Sequence, residues 1–369
     1  MKSNRLISLA ILALLAGLLS ACTGQAAVTN WPGLTSDGEF AYLADGAQVY
    51  TIRLSDHAEL LNAESKAIRY PLERDAQLAF YAPPALLPDG KSIIIGNANP
   101  AKPHSLFAAD PKTGTTLWSY EDAGSFWVGA PLVTADTIYI PNNDGSLYAL
   151  NLTGTLRWKK INAEHGLWAH PVTNGTAIFV TSLNHFIYSI DAISGETIWK
   201  KDLQNALVSA PVVAEDGFVY TGTLSGDLFA LNVDTGKIAW KTTLKGGIWS
   251  APVLSKDGTL YLGTVDGNTG TFYAINAQTG AILRENLEES SIIASPLILT
   301  DRVLYVTEGG LIRAMTETGI TNWATPIKGK LYTAPLLVGE SILIAPMEGD
   351  FYLAAYDLNG VQQWTFSPK

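Results

Sequence analysis

The sequence predicts an all-β protein, an eight-bladed β-propeller of four-stranded antiparallel blades. Three observations predict it. A stamp of Asp or Asn, then Thr or Ser with Gly, then Trp recurs along the chain, as in Asp191 to Trp199. A proline opening an apolar run follows the stamps, and from Pro84 to Pro335 these prolines step by 47, 40, 40, 41, 44 and 39 residues. Between stamps, short β-branched or aromatic runs alternate with Gly and Asp turn signals. A fixed period near 40 residues marks a repeat architecture, and four short strands per period make a propeller blade.

Residues 1–21 stand outside the repeat. Lys2 and Arg5 give a basic start, and Leu6 to Leu19 is an apolar run shorter than the roughly 20 residues of a bilayer span. This is the layout of a secretory signal peptide. The ending Leu19-Ser20-Ala21-Cys22 resembles the bacterial lipoprotein lipobox. The resemblance implies cleavage before Cys22, lipidation of Cys22 (palmitate among its acyl groups), and a lipid-anchored extracytoplasmic protein of the bacterial cell envelope. It would sit on the outer membrane if the cell has one, and otherwise on the cell surface. Cys22 is the only cysteine. The lipidated residue and a short tether occupy 22–30; eight residues from Thr23 to Asn30 reach at most about 30 Å.

Residues 31–369 are expected to form the propeller. Within residues 209–242 the strands read as Ala210–Val213, Phe218–Gly222, Leu228–Leu231 and Lys237–Thr242, with turns at Asp216-Gly217, Ser225-Gly226-Asp227 and Asp234-Thr235-Gly236. Pro84, Pro131, Pro171, Pro211, Pro252, Pro296 and Pro335 count seven blades. Pro32 with Asp37-Gly38 repeats the spacing of Pro211 with Asp216-Gly217 and makes an eighth. Blade 1 lacks the Thr-Gly turn and carries extra residues around Asp56 to Lys66, read as a short helix from His57 to Glu64. Blade 2 has a longer, proline-bearing loop from Asn97 to His104, a second candidate contact surface. Blade 8 owns four strands, so no strand exchange between the ends is required.

Each part of the stamp has a structural job. The Asp or Asn suits an Asx-type turn with the Gly at positive φ. Trp118, Trp158, Trp199, Trp240, Trp323 and Trp364 lie on the following strand, and one stamp, Asn276 to Leu283, ends without a Trp. Full burial of such a ring covers about 150–250 Å², which predicts a cost of about 3–5 kcal/mol for truncation to Ala.

The charge balance excludes one class of function. Without Lys2 and Arg5 the chain carries 22 basic against 34 acidic side chains. Nucleic-acid binding rests on cationic contacts to phosphate, so no nucleic-acid partner is expected. The histidines, His57, His104, His165, His170 and His185, form no spaced metal motif, and no nucleophile elbow stands out. No catalytic residue, metal or cofactor is therefore assigned.

One ring of positions points to binding. Three residues before the repeat prolines stand Tyr81, Val128, Trp168, Val208, Trp249, Ile293 and Tyr332, with Trp127 one step earlier in its blade. If the strand entered at each proline is innermost, these side chains meet at one mouth of the channel. Tyr81, Trp127, Trp168, Trp249 and Tyr332, with His170 at the edge, would then form an aromatic funnel for a partner or a small-molecule ligand. The alternative is that they fill gaps between blades.

The Asp/Asn-x-x-Thr/Ser-Gly-x-x-x-Trp pattern, with Ala-Pro and Asp-Gly between copies, resembles the pyrroloquinoline-quinone-type (PQQ-like) propeller repeat over residues 31 to 366. Three activities occur with that repeat. PQQ-dependent dehydrogenases carry adjacent cysteines and a calcium site, and no second cysteine exists here. The BamB-type outer-membrane assembly lipoproteins are lipobox proteins with eight such blades. Other secreted or surface propellers bind carbohydrate or peptide. The resemblance implies a non-catalytic, lipid-anchored scaffold for an envelope protein partner, with a surface receptor as the alternative.

Overall fold

The computed structural model describes residues 31–369 apart from Lys102; the expected signal peptide, Cys22 and the expected tether lie outside the described residues. Eight antiparallel sheets follow one another in chain order, and in blades 2 to 8 the four strands pair in sequence. Blade 5 runs Val212–Val213, Phe218–Gly222, Asp227–Asn232 and Ile238–Thr243. Its first strand is thus shorter than the sequence suggests, because pairing begins at Val212, just after the proline. First strands of neighbouring blades touch one another, so they are innermost, and the fourth strands carry the exposed residues. Among the described residues no helix is long and apolar enough to cross a membrane.

The core is a ring of layers between blades. Tyr220, Leu228 and Ala230 of blade 5 pack on Leu260, Leu262, Tyr273 and Ile275 of blade 6. The same kind of layer joins blade 8 to blade 1, through Leu343, Leu353, Ala355 and Phe366 against Leu34, Leu43 and Ile52. Blade 8 supplies its own four strands, Leu336–Val338, Ser341–Ile344, Leu353–Tyr356 and Gln362–Phe366. The ring closes by side-chain contact, not by a shared sheet. Thr333 Oγ1 donates to the Pro32 carbonyl.

The stamp is a latch between blades. In blade 5, Trp240 faces Ala230 across the sheet, and a β-bulge follows at Ala230/Leu231. Blades 2 to 8 repeat that bulge, with Ala or Ser opposite the latch residue. The ring then reaches the next blade's turn. Trp199 Nε1 donates to the Val233 carbonyl at 2.8 Å, and its ring lies against Gly236, which has φ +66°. Trp118, Trp240 and Trp323 do the same at Leu152, Ala277 and Leu358. Trp158 packs on Gly195, but the Ala192 carbonyl is taken by the Tyr139 hydroxyl, and the Trp158 Nε1 has no partner. Trp158 is buried, while the other five rings are only half-buried, so the full burial expected of all six holds for one.

Three latches depart from the pattern. Residues 57–64 form no helix. Ala58–Glu59 pairs with the third strand of blade 1, and the Asn62 side chain accepts from the Glu64 and Lys66 amides to build a turn. His57 takes the glycine's place at φ +60° and stacks on Trp364 at 4.7 Å, which closes blade 8 onto blade 1. Between blades 1 and 2, Leu72 lies on Gly114. Between blades 6 and 7 the register pairs Ala274 with Arg284. Arg284, not Leu283, therefore occupies the tryptophan position, and its stem lies against Gly319.

Candidate partner-binding surface

The positions three before each proline do form a ring. All seven, Tyr81, Val128, Trp168, Val208, Trp249, Ile293 and Tyr332, are half-buried at the inner ends of their blades. Aromatic residues occupy blades 2, 4, 6 and 8, and aliphatic ones blades 3, 5 and 7. One step earlier stands a ring of buried core residues: Phe80, Trp127, Leu167, Leu207, Ile248, Ile292 and Leu331. Trp127 belongs to that core ring. It is 1% exposed, meets Tyr148 edge-on at 5.1 Å, and donates from Nε1 to the His104 carbonyl at 2.9 Å. Gly96 leaves the space beside it that a Cβ would fill. Trp127 is thus a packing residue between blades 2 and 3, not part of the mouth.

The remaining candidates fall into separate groups. Tyr81 and Tyr332 are joined by Trp31, which stacks on Tyr332 at 4.7 Å with planes 12° apart and lies 5.6 Å from Tyr81. Sequence reasoning missed Trp31. Its signal was a tryptophan immediately before Pro32, where blades 3, 5, 6 and 8 carry alanine. The Tyr332 hydroxyl donates to Glu308 Oε1 at 2.7 Å, and Lys330 pairs with the same oxygen at 3.2 Å. Burial, reinforced by that carboxylate, pushes Tyr332 up to about 12. Burial likewise pushes Tyr81 up to about 12.

Trp168 Nε1 donates to Asn143 Oδ1 at 2.8 Å, which ties blade 4 to blade 3. His170 Nδ1 donates to the Ala130 carbonyl at 3.1 Å. Burial lowers the His170 pKa, and the carbonyl only partly offsets it. Trp249 is half-buried beside Ser250, whose hydroxyl donates to the Gly263 carbonyl at 3.0 Å. Neither Trp168 nor Trp249 is in ring contact with another aromatic among the described residues. The structure therefore brings together Trp31, Tyr81 and Tyr332 at the seam of the ring, and spaces Trp168 with His170 and Trp249 around it.

The Asn97–His104 loop is pinned from within. Asn97 is fully buried; its Oδ1 accepts from the Ala79 and Asn99 amides, and its Nδ2 donates to the Gln77 and Pro103 carbonyls. A loop anchored this way needs little ordering on binding.

Eight repeated blades, five of their seams latched by a tryptophan on a turn glycine, define the class of PQQ-like propeller-repeat proteins. The family model described as outer membrane protein assembly factor BamB matches residues 27–178, 153–218 and 183–298. The chain belongs to that family. Among solved structures, BamB from Moraxella catarrhalis is similar over 92% of this chain and 95% of its own, with 17% identity and a TM-score of 0.67. The computationally designed Ika8 protein is similar over 89% and 97%, with 14% identity and a TM-score of 0.73. The quinohemoprotein alcohol dehydrogenase from Comamonas testosteroni is similar over 87% and 71%, with 13% identity and a TM-score of 0.71. No curated protein sequence matches the chain. At these identities the solved structures share the fold, and a fold hosts many functions.

At the seam of the ring a quinone cofactor would find Tyr332 and Lys330 already engaged. A planar tricarboxylate asks for a free ring face and several cationic donors. Here Trp31 already faces Tyr332, and Lys330 is held by Glu308. Among the described residues no group of three or more His, Cys, Asp or Glu could hold a metal ion.

Proposed function

We propose that this protein is a non-catalytic scaffold that holds a polypeptide partner in the bacterial cell envelope, working in outer-membrane protein assembly. The observation that carries the reading is the match to the BamB family across residues 27–298. The half-buried aromatics at the inner ends of blades 2, 4, 6 and 8 support it, since aromatic side chains are the usual anchors of protein interfaces. No catalytic group, cofactor or nucleic-acid partner belongs to this reading. Acylation at Cys22 would hold the propeller within about 30 Å of the membrane and raise the partner's effective concentration there.

The test is crosslinking and co-purification of the full-length protein from its own membranes, beside a Trp168→Ala/Trp249→Ala variant. The expected result is an assembly component enriched with the wild type and reduced at least tenfold with the variant, while thermal unfolding stays cooperative. Saturable quenching of tryptophan fluorescence by a sugar, with no protein captured, would replace the scaffold with a surface receptor.

A further inference from the structure

The main chain runs through every seam of the ring but the one between blades 8 and 1, where no sheet is shared. That seam is closed by side chains. Tyr50 of blade 1 meets Tyr352 and Phe366 of blade 8 edge-on, at 5.7 and 6.4 Å. Trp31 stacks on Tyr332, and Thr333 donates to the Pro32 carbonyl. Arg69 Nη2 donates to the Lys369 carbonyl at 3.5 Å. On the outer strand of blade 8, Trp364 meets His57.

This last contact departs from the repeat. At five other seams the latch tryptophan lies on a glycine of the next turn, and four of those rings also donate Nε1 to a carbonyl there. The remaining two latches are Leu72 on Gly114 and Arg284 on Gly319. Blade 1 has no glycine at that place. His57 takes it at φ +60° and lays its imidazole parallel to the Trp364 indole, with ring centres 4.7 Å apart and planes 13° apart. A glycine gives the indole the same backbone surface in any medium. An imidazole gives it a face that carries charge when protonated, and a cation over an indole is attracted by the ring's quadrupole. Histidine is the side chain whose ordinary charge change falls between pH 5 and 8, and among the described residues no other latch contains one. The charged groups beside the stack are Arg53 and Asp56, paired with each other at 2.7 Å, and Arg69 paired with Glu59. On blade 8 the strand Gln362–Phe366 carries no charge; Asp357 precedes it and Lys369 follows it.

We propose that His57 on Trp364 is a pH-sensitive latch at the seam between blades 8 and 1. With the imidazole protonated, the stack is a cation on an indole, and the seam is held more tightly. With the imidazole neutral, that contribution is gone and the ring opens there more often. The charged form is the one that is stabilised by the contact, so closure is favoured as pH falls. The same seam carries Trp31, Tyr81 and Tyr332, so its tightness sets how firmly that part of the channel mouth is held. The latch works in this way whatever the mouth binds.

The experiment is amide hydrogen exchange of the full-length protein at pH 5.5 and 7.5, read by mass spectrometry and corrected for the intrinsic rate at each pH. The reporting strands are Gly33–Ser36 of blade 1 and Leu353–Tyr356 and Gln362–Phe366 of blade 8. The reference is Ile238–Thr243 of blade 5, whose Trp240 is latched on glycine. Relative to that reference, exchange at the seam is expected to be roughly two- to fivefold slower at pH 5.5, the size of one exposed cation–π contact. His57→Gly installs the residue used at five other seams and suits the positive φ, so the ring still closes; it is expected to abolish the difference. His57→Arg, charged at both pH values, is expected to show the slow rate at both. Equal exchange at the two pH values in the wild type, a difference that survives in His57→Gly, or an equal difference at Ile238–Thr243 would each overturn the proposal.

Discussion

The smallest unit that holds this ring together is one indole on one glycine. Trp199 gives a hydrogen bond to the Val233 carbonyl and a flat face to Gly236, and the two contributions can be separated. Trp199→Phe keeps the face and loses the bond, so we expect about 1 kcal/mol of destabilisation. Gly236→Ala meets two obstacles. Its φ of +66° costs an L-residue about 1–2 kcal/mol, and a Cβ would stand 2.6 Å from the ring. Urea midpoints should therefore fall further for the glycine change than for the loss of the indole N–H. His170 offers a different readout. Its folded pKa is lowered by burial, so the folded state binds a proton less readily than the unfolded chain. That contribution is intact above the ordinary value of about 6.5 and is lost as pH falls below it toward the folded pKa. Thermal scans from pH 7.5 to 5.5 should show a shallower decline for His170→Gln than for the wild type. Turn residues of this kind were legible because they recur at a fixed period. The placement of Trp127 was not inferred, although Phe80, Leu167, Leu207, Ile248, Ile292 and Leu331 at the same offset already marked a core position.

At the level of blades, the contact between 6 and 7 adds a buried ion pair to its apolar layer, where its neighbours use apolar packing alone at that position. Glu288 stands where blades 4 and 5 have Leu203 and Leu244, and Arg313 takes the register position of Phe229. Glu288 is 7% exposed, accepts from the Tyr305 hydroxyl at 2.6 Å and from Arg313 Nη2 at 3.2 Å. Removing one partner leaves a buried charge uncompensated, so Arg313→Met should cost about 3 kcal/mol. In a Tyr305→Phe background, which removes the hydroxyl that Glu288 accepts from, replacing both as Glu288→Leu with Arg313→Phe restores the Leu203–Phe229 pair of blades 4 and 5 and should be neutral or stabilising. A double-mutant cycle in urea measures the difference. The sequence carried the count of blades and the strand limits of most of them, because Pro, Asx and Gly fix turns locally. It did not carry the partnering of Arg284. That stamp looked as if it ended at Leu283, and only the pairing of Ala274 with Arg284 shows which side chain enters the next blade. Nor did it carry the fate of the extra residues in blade 1. The side chains of Asp56 and Asn62 bond to nearby amides and favour turns over a helix there.

Across the whole molecule, each blade touches only its neighbours, yet the ring makes every blade dependent on the last contact. Seven of the eight seams are crossed by the chain itself. The eighth, between blades 8 and 1, rests on the layer of Leu343, Leu353 and Phe366 against Leu34 and Leu43, on Trp364 stacked with His57, and on Trp31 stacked with Tyr332. Truncation after Gly360 removes Trp364 and Phe366 together. Losing two such aromatics costs about 6 kcal/mol, which is comparable to the roughly 5–15 kcal/mol of a whole domain. The truncated chain should therefore lose its cooperative thermal transition, as scanning calorimetry would show. That uncrossed seam also sets an order of events during synthesis. Blades can stack one after another as they emerge, but blade 1 keeps a bare apolar flank until Gln362–Phe366 arrives. For most of translation the growing protein is an open arc with two sticky ends, and those ends are where a holding chaperone would have to wait.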